Sequence, residues 1–198
     1  RSRVEVIEHG VDVAAIAAHQ DRAAARRTFQ VDEDHFVVGI VANCRHEKDL
    51  ETLVCAVAAV DRRRPDSKIV VVHIGQGPLA DDLDRWVIDA GVGDRLRRLG
   101  RREDAAALMS GFDAFTLSSR HEGLPVALME AAANGLPMVC TNVGGVAAVC
   151  RDGINGVLVA SADPEALADA WMSLAADADE CERMARESSR IAVEFDVH

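Results

Sequence analysis

Short, continuously apolar runs rich in β-branched residues alternate with helical stretches along this chain, and that alternation constrains the fold most. Residues 4–7, 36–42, 68–74, 95–99, 113–117, 137–140 and 156–159 read as strands. Ile69-Val70-Val71-Val72 shows no polar alternation, which predicts a strand covered on both faces. Residues 50–63, 79–90, 104–110, 126–134, 164–176 and 179–193 read as helices, with a short one at 145–149. Asp163-Pro164-Glu165 is a helix start, with Asp as cap and Pro in the first turn. Strands alternating with helices predict βαβ units. The expected fold is α/β, a doubly wound parallel Rossmann-like sheet with right-handed crossovers. Ala23–Arg27 reads as ordinary helix formers rather than a repeat.

Composition narrows the function. The 198 residues carry 22 basic and 33 acidic side chains, a formal net charge of −11. That balance argues against a general nucleic-acid binder, so an anion site must be built from a few placed cations and backbone N–H groups. With 49% apolar and 28% charged residues, the chain has the makings of one globular domain over residues 1–198. Its apolar runs are too short to cross a bilayer, and its first residues do not read as a leader. The five cysteines, Cys44, Cys55, Cys140, Cys150 and Cys181, form no C-x-x-C. A disulfide framework and a zinc ribbon are therefore not expected. Cys55 and Cys140, among apolar neighbours, read as small buried hydrophobes in a reducing compartment. No cluster with metal-ligand spacing is seen, so no metal is expected. Arg1 begins shortly before a strand and the chain stops at His198 just after a helix, as in a domain excised from a longer protein.

In an open parallel sheet, ligands bind at the carboxyl ends of the strands. Four post-strand loops carry suggestive residues. In Asn43-Cys44-Arg45-His46-Glu47-Lys48, Arg45 and Lys48 suit a diphosphate, although on this segment alone a solvated loop paired with Glu47 or Asp49 is the simpler reading. In Gly75-Gln76-Gly77-Pro78 the glycines allow a tight turn or a close ligand approach. Ala80 stands where a dinucleotide fingerprint needs its third Gly, so a plain turn is the simpler reading. Gly100-Arg101-Arg102-Glu103-Asp104 either meets a nucleobase edge or is a polar turn capped by Asp104. The fourth loop runs from Ser118 through Arg120, His121, Glu122, Gly123 and Leu124 to Pro125, which suits the first position of a helix. The N–H groups of Gly123, Leu124 and Val126 are expected to face the rim as an anion site. From Val126 to Ala133 every residue but Glu130 is apolar. A lone carboxylate there is costly without partners, which makes Glu130 either a functional group or an edge residue meeting water or a cation.

The stretch from Glu122 to Glu130 resembles the E-x7-E motif of retaining nucleotide-sugar glycosyltransferases of family 4, which have the GT-B fold. Further segments resemble that family in the same order: Ile74-Gly-Gln-Gly-Pro78, Asp113-Ala-Phe-Thr-Leu-Ser118, Gly135-Leu-Pro-Met-Val139, Val143-Gly-Gly145, Asp152 to Val159 and Asp163-Pro-Glu-Ala-Leu167. His9-Gly10-Val11-Asp12 is similar to the family's N-G-V-D joint between domains, with His9 in place of Asn. The resemblance implies a C-terminal, donor-binding half whose N-terminal acceptor domain is missing. It implies that Glu122, the catalytic candidate, contacts the donor sugar. Lys48 and Arg45 would approach the diphosphate, together with the N–H groups of Gly123 and Leu124. Many members place an Arg five residues before the Lys; here that position is Asn43, and Arg45 lies three before. Arg101 and Arg102 would lie beside the base and Glu130 would accept from the ribose. Gly75 and His121 complete the substrate-binding candidates. The implied donor is a nucleoside-diphosphate sugar, with no cofactor, and the acceptor a sugar or lipid-linked glycan. The implied location is cytoplasmic, with the full-length protein peripheral at the inner membrane face. The isolated chain is expected to bind donor weakly and not to turn over. The alternative is a non-catalytic nucleotide-sugar-binding or regulatory module of the same fold. Glycogen-type phosphorolysis would want a pyridoxal-binding Lys, and none is identified.

Overall fold

The computed structural model describes residues 10–198; the strand expected at 4–7, and His9, lie outside the described residues. Five apolar segments and one short mixed one, Leu-Arg-Arg, form strands because each is bounded by turn residues and too short for a helix. They are β1 (Phe36–Val41), β2 (Ile69–Ile74), β3 (Leu96–Arg98), β4 (Ala114–Leu117), β5 (Met138–Thr141) and β6 (Gly156–Val159). All pair in parallel in the order β3-β2-β1-β4-β5-β6. Every residue of β2, β4 and β5 is buried, as strands with helices on both faces require. Between β1 and β4 the order of strands reverses direction, which defines the topological switch point.

The described helices are α1 (Val13–Ala18), α2 (Arg22–Phe29), α3 (Leu50–Arg63), α4 (Ala80–Asp89), α5 (Ala105–Leu108), α6 (Val126–Ala133), α7 (Val146–Val149), α8 (Pro164–Ala176) and α9 (Ala178–Ala192). On one side α8 packs on α3 and reaches the sheet, where Trp171 Nε1 donates to Thr116 Oγ1 at 3.3 Å. On the other, α6 packs against α9 and α1. Asp163 caps α8 through the Ala166 N–H at 3.0 Å, with Pro164 in the first turn, as the sequence predicts.

Three local features depart from the sequence reading. α1 and α2 are full elements, each started by an aspartate: Asp12 accepts from the Ala15 N–H at 2.8 Å and Asp21 from the Ala24 N–H at 2.9 Å. The helix expected over 104–110 splits into α5 and a 3₁₀ turn, Met109–Gly111. Ser110 and Gly111 are weak helix formers, and the tighter turn sets Phe112 against Phe29, ring centroids 5.3 Å apart. Cys55 is exposed rather than buried, because it falls four residues after Glu51 on the solvent face of α3. Cys44 and Cys150, in polar surroundings along the sequence, are buried, as is Cys140.

α2 is anchored through a buried cation. The Arg26 side chain is 1% exposed and donates to the carbonyls of Gly111, Asp32 and His35 and to Asp113 Oδ2. Asp113 Oδ2 also accepts the Val37 N–H at 2.6 Å, so the pair ties α2 to the start of β1. At the chain's ends, Val11 bridges Asp196, with Val11 N–H donating to the Phe195 carbonyl at 2.9 Å.

Candidate active site at the switch point

The loops after β1 and β4 meet at the carboxyl edge of the sheet. After β1 the chain forms a 3₁₀ turn, His46–Lys48, in place of an open loop. The turn delivers the Lys48 ammonium onto Glu122, with Nζ 2.7 Å from Oε1 and 2.8 Å from Oε2. The Lys48 side chain is 21% exposed and that of Glu122 only 6%. Ser119 Oγ donates to Glu122 Oε1 at 2.6 Å, and Ser118 Oγ donates to the Lys48 carbonyl at 2.8 Å. Thr141 Oγ1 in turn donates to the Ser119 carbonyl at 2.6 Å. Ser118, Ser119 and Thr141 are all buried, a satisfied polar layer beneath the ion pair.

A second ion pair clamps the same two loops. Arg120 forks onto Asp49, Nε to Oδ2 at 2.8 Å and a terminal nitrogen to Oδ1 at 3.1 Å. Asp49 is buried, accepts from Thr52 Oγ1 at 2.9 Å and sits at φ 46°. A non-glycine residue is strained there, and the bidentate pair holds it. The Arg120 N–H also donates to the Glu47 carbonyl at 2.8 Å. Sequence reasoning missed Asp49 and Arg120, since nothing local predicts a partner some 70 residues away, and Ser119, although its acceptor Glu122 lies only three residues on.

Beside Lys48 lies a cleft of about 590 Å³, lined by Asn43, Lys48, Gly75, Gln76, Arg101 and Arg102 among others. Gly75 is required by close approach, since a Cβ there would collide with the Ala42 carbonyl. Its N–H donates to the Gly100 carbonyl at 2.8 Å, joining the loops after β2 and β3. Below this floor His73 is buried, Nε2 lying 2.9 Å from the Ala42 carbonyl oxygen. Burial pulls its pKa down to about 4, and the backbone contact only partly offsets this. The Arg102 guanidinium is turned onto Asp104, at 2.8 and 2.7 Å.

Not every candidate reaches the cleft. Arg45 is exposed, 4.0 Å from Glu47, because its extended backbone precedes the 3₁₀ turn and sends the side chain outward. Asn43, five residues before Lys48, lines the cleft instead. His121 is exposed, with only its backbone N–H engaged by the Glu47 carbonyl at 3.5 Å. Gly123 and Leu124 lie in the turn ahead of α6 rather than in it, since Pro125 is the cap and α6 begins at Val126. Among the described residues neither of their N–H groups has a hydrogen-bond acceptor. The turn is pressed from below by Gly144–Gly145, with Gly145 N–H donating to the Gly123 carbonyl at 2.8 Å.

Glu130 does not share the cleft of Lys48. It lines a neighbouring cavity of about 570 Å³ with Asp12, His19, Asp104 and Val126. The 101–107 segment is the wall between the two cavities. Half-buried, the Glu130 carboxyl has no hydrogen-bond partner among the described residues, and burial raises its pKa. α6 is thus buried at Leu128, Met129 and Ala131–Ala133 but open along Val126 and Glu130. Among the described residues, Asp32, Asp34 and His35 bring atoms of ligating type within 4.8 Å of one another. Their spacing follows no known pattern, they precede β1 at the opposite rim, and Lys68 already pairs with Asp34.

A doubly wound sheet with an acid–lysine pair over its switch point and a cleft beside it has the architecture of one half of a GT-B glycosyltransferase. The similarities agree. Residues 21–190 match the family model for glycosyl transferases group 1, and the chain belongs to that family. It is 35% identical over 210 residues to a D-inositol 3-phosphate glycosyltransferase of Salinispora tropica, covering 98% of this chain and 43% of that protein. It is 28% identical to the lipopolysaccharide core biosynthesis mannosyltransferase LpsB of Rhizobium meliloti, over 96% of this chain and 57% of that one. The chain thus spans about half the length of the curated relatives it matches. Among solved structures, Anabaena Alr3699/HepE in complex with UDP and glucose superposes with a TM-score of 0.84 at 23% identity, over 97% of this chain and 52% of that one. The C-terminal domain of the group 1 protein LpcC from Francisella tularensis superposes at 0.81 and 20% identity, over 96% of this chain and all of that one.

Proposed function

We propose that residues 1–198 are the donor-binding half of a retaining, family 4 glycosyltransferase that moves a sugar from a nucleoside-diphosphate sugar to an acceptor. The observation that carries this reading is the Lys48–Glu122 pair, a buried acid and a half-buried cation fixed beside a cleft at the switch point. The UDP and glucose complex of Anabaena HepE supports it by fold. In this reading Lys48 and the free N–H groups of Gly123 and Leu124 face the diphosphate. Arg101 and Arg102 flank the base, and Glu130, lacking an internal partner, accepts from the ribose hydroxyls across the shared wall. Glu122 accepts from the sugar hydroxyls. Asn43, not Arg45, stands in the second diphosphate position.

In the transfer, the bond from the anomeric carbon to the terminal phosphate oxygen breaks while a bond to the acceptor oxygen forms on the same face. The acceptor's hydroxyl proton passes to the departing diphosphate, whose charge Lys48 and the α6 end stabilise. The acceptor, a sugar or lipid-linked glycan, would be held by an N-terminal domain, so the isolated chain binds donor and does not turn over. No helix among the described residues is long and apolar enough to cross a membrane. A cytoplasmic enzyme, peripheral at the inner membrane face, is the location proposed.

Calorimetry with nucleoside diphosphates tests this. Glu130→Ala is expected to weaken binding by about 1.5–3 kcal/mol, the usual loss for a hydrogen bond to a charged group. Glu182→Ala, on the exposed side of α9 and paired among the described residues with Arg186, is expected to leave it unchanged. Equal affinities of the two variants would remove Glu130 from the site.

A further inference from the structure

An ammonium has three N–H donors, and two of those on Lys48 are directed at the Glu122 oxygens. Glu122 cannot easily withdraw, because it is 6% exposed and Ser119 Oγ holds Oε1 at 2.6 Å. Among the described residues no other cation lies within 4 Å of Glu122. The charge expected to meet a diphosphate is therefore already neutralised by a carboxylate built into the wall of the site.

We propose that Glu122 is a specificity-determining residue that sets the site against free nucleoside diphosphate and in favour of its sugar conjugate, by competing with the diphosphate for Lys48. This inference rests on the donor reading above. A free diphosphate carries one more ionisable oxygen than its conjugate, with a pKa of about 6, so at neutral pH it brings an extra negative charge. That charge would lie against Lys48, within a few ångströms of the Glu122 carboxylate, in a partly desolvated place where like charges repel strongly. In the conjugate the same oxygen is esterified, the extra charge is gone, and the attached sugar presents hydroxyls that donate to the carboxylate. One acid thus penalises the product and rewards the donor, using contacts and repulsion together. Product release is favoured by the same charge that orients the substrate.

The test is calorimetry on the 198-residue chain with uridine, guanosine and adenosine diphosphates and their glucose conjugates. Glu122→Gln keeps the size and removes the charge. The variant is expected to bind the preferred free diphosphate on the order of three- to tenfold more tightly than the wild type, the range for loss of one partly screened like charge. It is expected to bind the glucose conjugate no more tightly. If the wild type binds a free diphosphate and Glu122→Gln binds it equally or more weakly, the inference is overturned while the donor reading stands. If neither protein binds any of the six ligands, the donor reading itself fails and the inference with it. Should Glu122→Gln not fold, Glu122→Asp, which withdraws the charge by one methylene, must show the same gain in smaller measure; no gain overturns the inference.

Discussion

His73 links the cleft to folding stability. It is buried under the Ala42–Asn43 turn, and among the described residues its Nδ1 has no partner. Its pKa falls from 6.5 to about 4 in the folded chain. A depressed pKa means the unfolded chain binds the proton first, so stability is full above about pH 6.5 and is lost as pH falls toward 4. A shift of that size corresponds to roughly 3 kcal/mol across the window. Urea unfolding from neutral to acid pH should show this loss, and His73→Gln, whose amide can still donate to the Ala42 carbonyl, should flatten it. The same slope in both proteins would contradict the assignment. Glu130 runs the other way: burial raises its pKa, so ionisation above the ordinary carboxylate range costs stability. An acid kept at a cost, without an internal partner, is the residue most readily explained by a ligand.

At the scale of elements, α3 and α8 begin and end where the sequence places them, because their apolar faces and starts are local signals. The six described strands fall within two residues of their expected limits for the same reason. Ala23–Arg27 reads as helix-forming, but the bounds of α2 and its hold on the core were not legible, since what holds it is Arg26, a residue that composition assigns to the surface. Its partners on Gly111, Asp113, Asp32 and His35 are brought together only by the fold. Without Arg26, Asp113 keeps Arg22 at 2.6 Å and the Val37 N–H, but the carbonyls of Gly111, Asp32 and His35 lose their donor, so Arg26→Ala should destabilise the chain by about 1–3 kcal/mol. A drop in the denaturant midpoint with an unchanged slope would show it, and a loss under about 1 kcal/mol would mean the network is not buried in solution. The candidate site was legible in part for the same physical reason. Glu122, Lys48 and Gly75 belong to short segments with their own signature. Arg45 faces outward because a 3₁₀ turn intervenes, and the Asp49–Arg120 clamp joins loops from the two halves of the sheet.

Across the whole molecule, the doubly wound order does the assembling. β1 and β4 are neighbours at the switch point although more than 70 residues separate them, and their loops supply Lys48 and Glu122. β2 and β3 extend the cleft with the glycine turns and the Arg101–Arg102 loop. Gly10–Asp12, which resembles the joint between GT-B domains, lines the same cavity as Glu130. In the proposed reading, an N-terminal acceptor domain joined ahead of Gly10–Asp12 would close over the nucleotide. One nucleoside diphosphate is proposed to lie across the two cavities, and a crystal structure of the chain with whichever of uridine, guanosine or adenosine diphosphate it binds is the direct test. A terminal phosphate is expected within hydrogen-bond distance of Lys48 Nζ, with the ribose hydroxyls on the Glu130 carboxylate and the base beside Arg101 and Arg102. A nucleotide bound elsewhere, or one leaving the Lys48 ammonium and the Glu130 carboxylate both untouched, would contradict it.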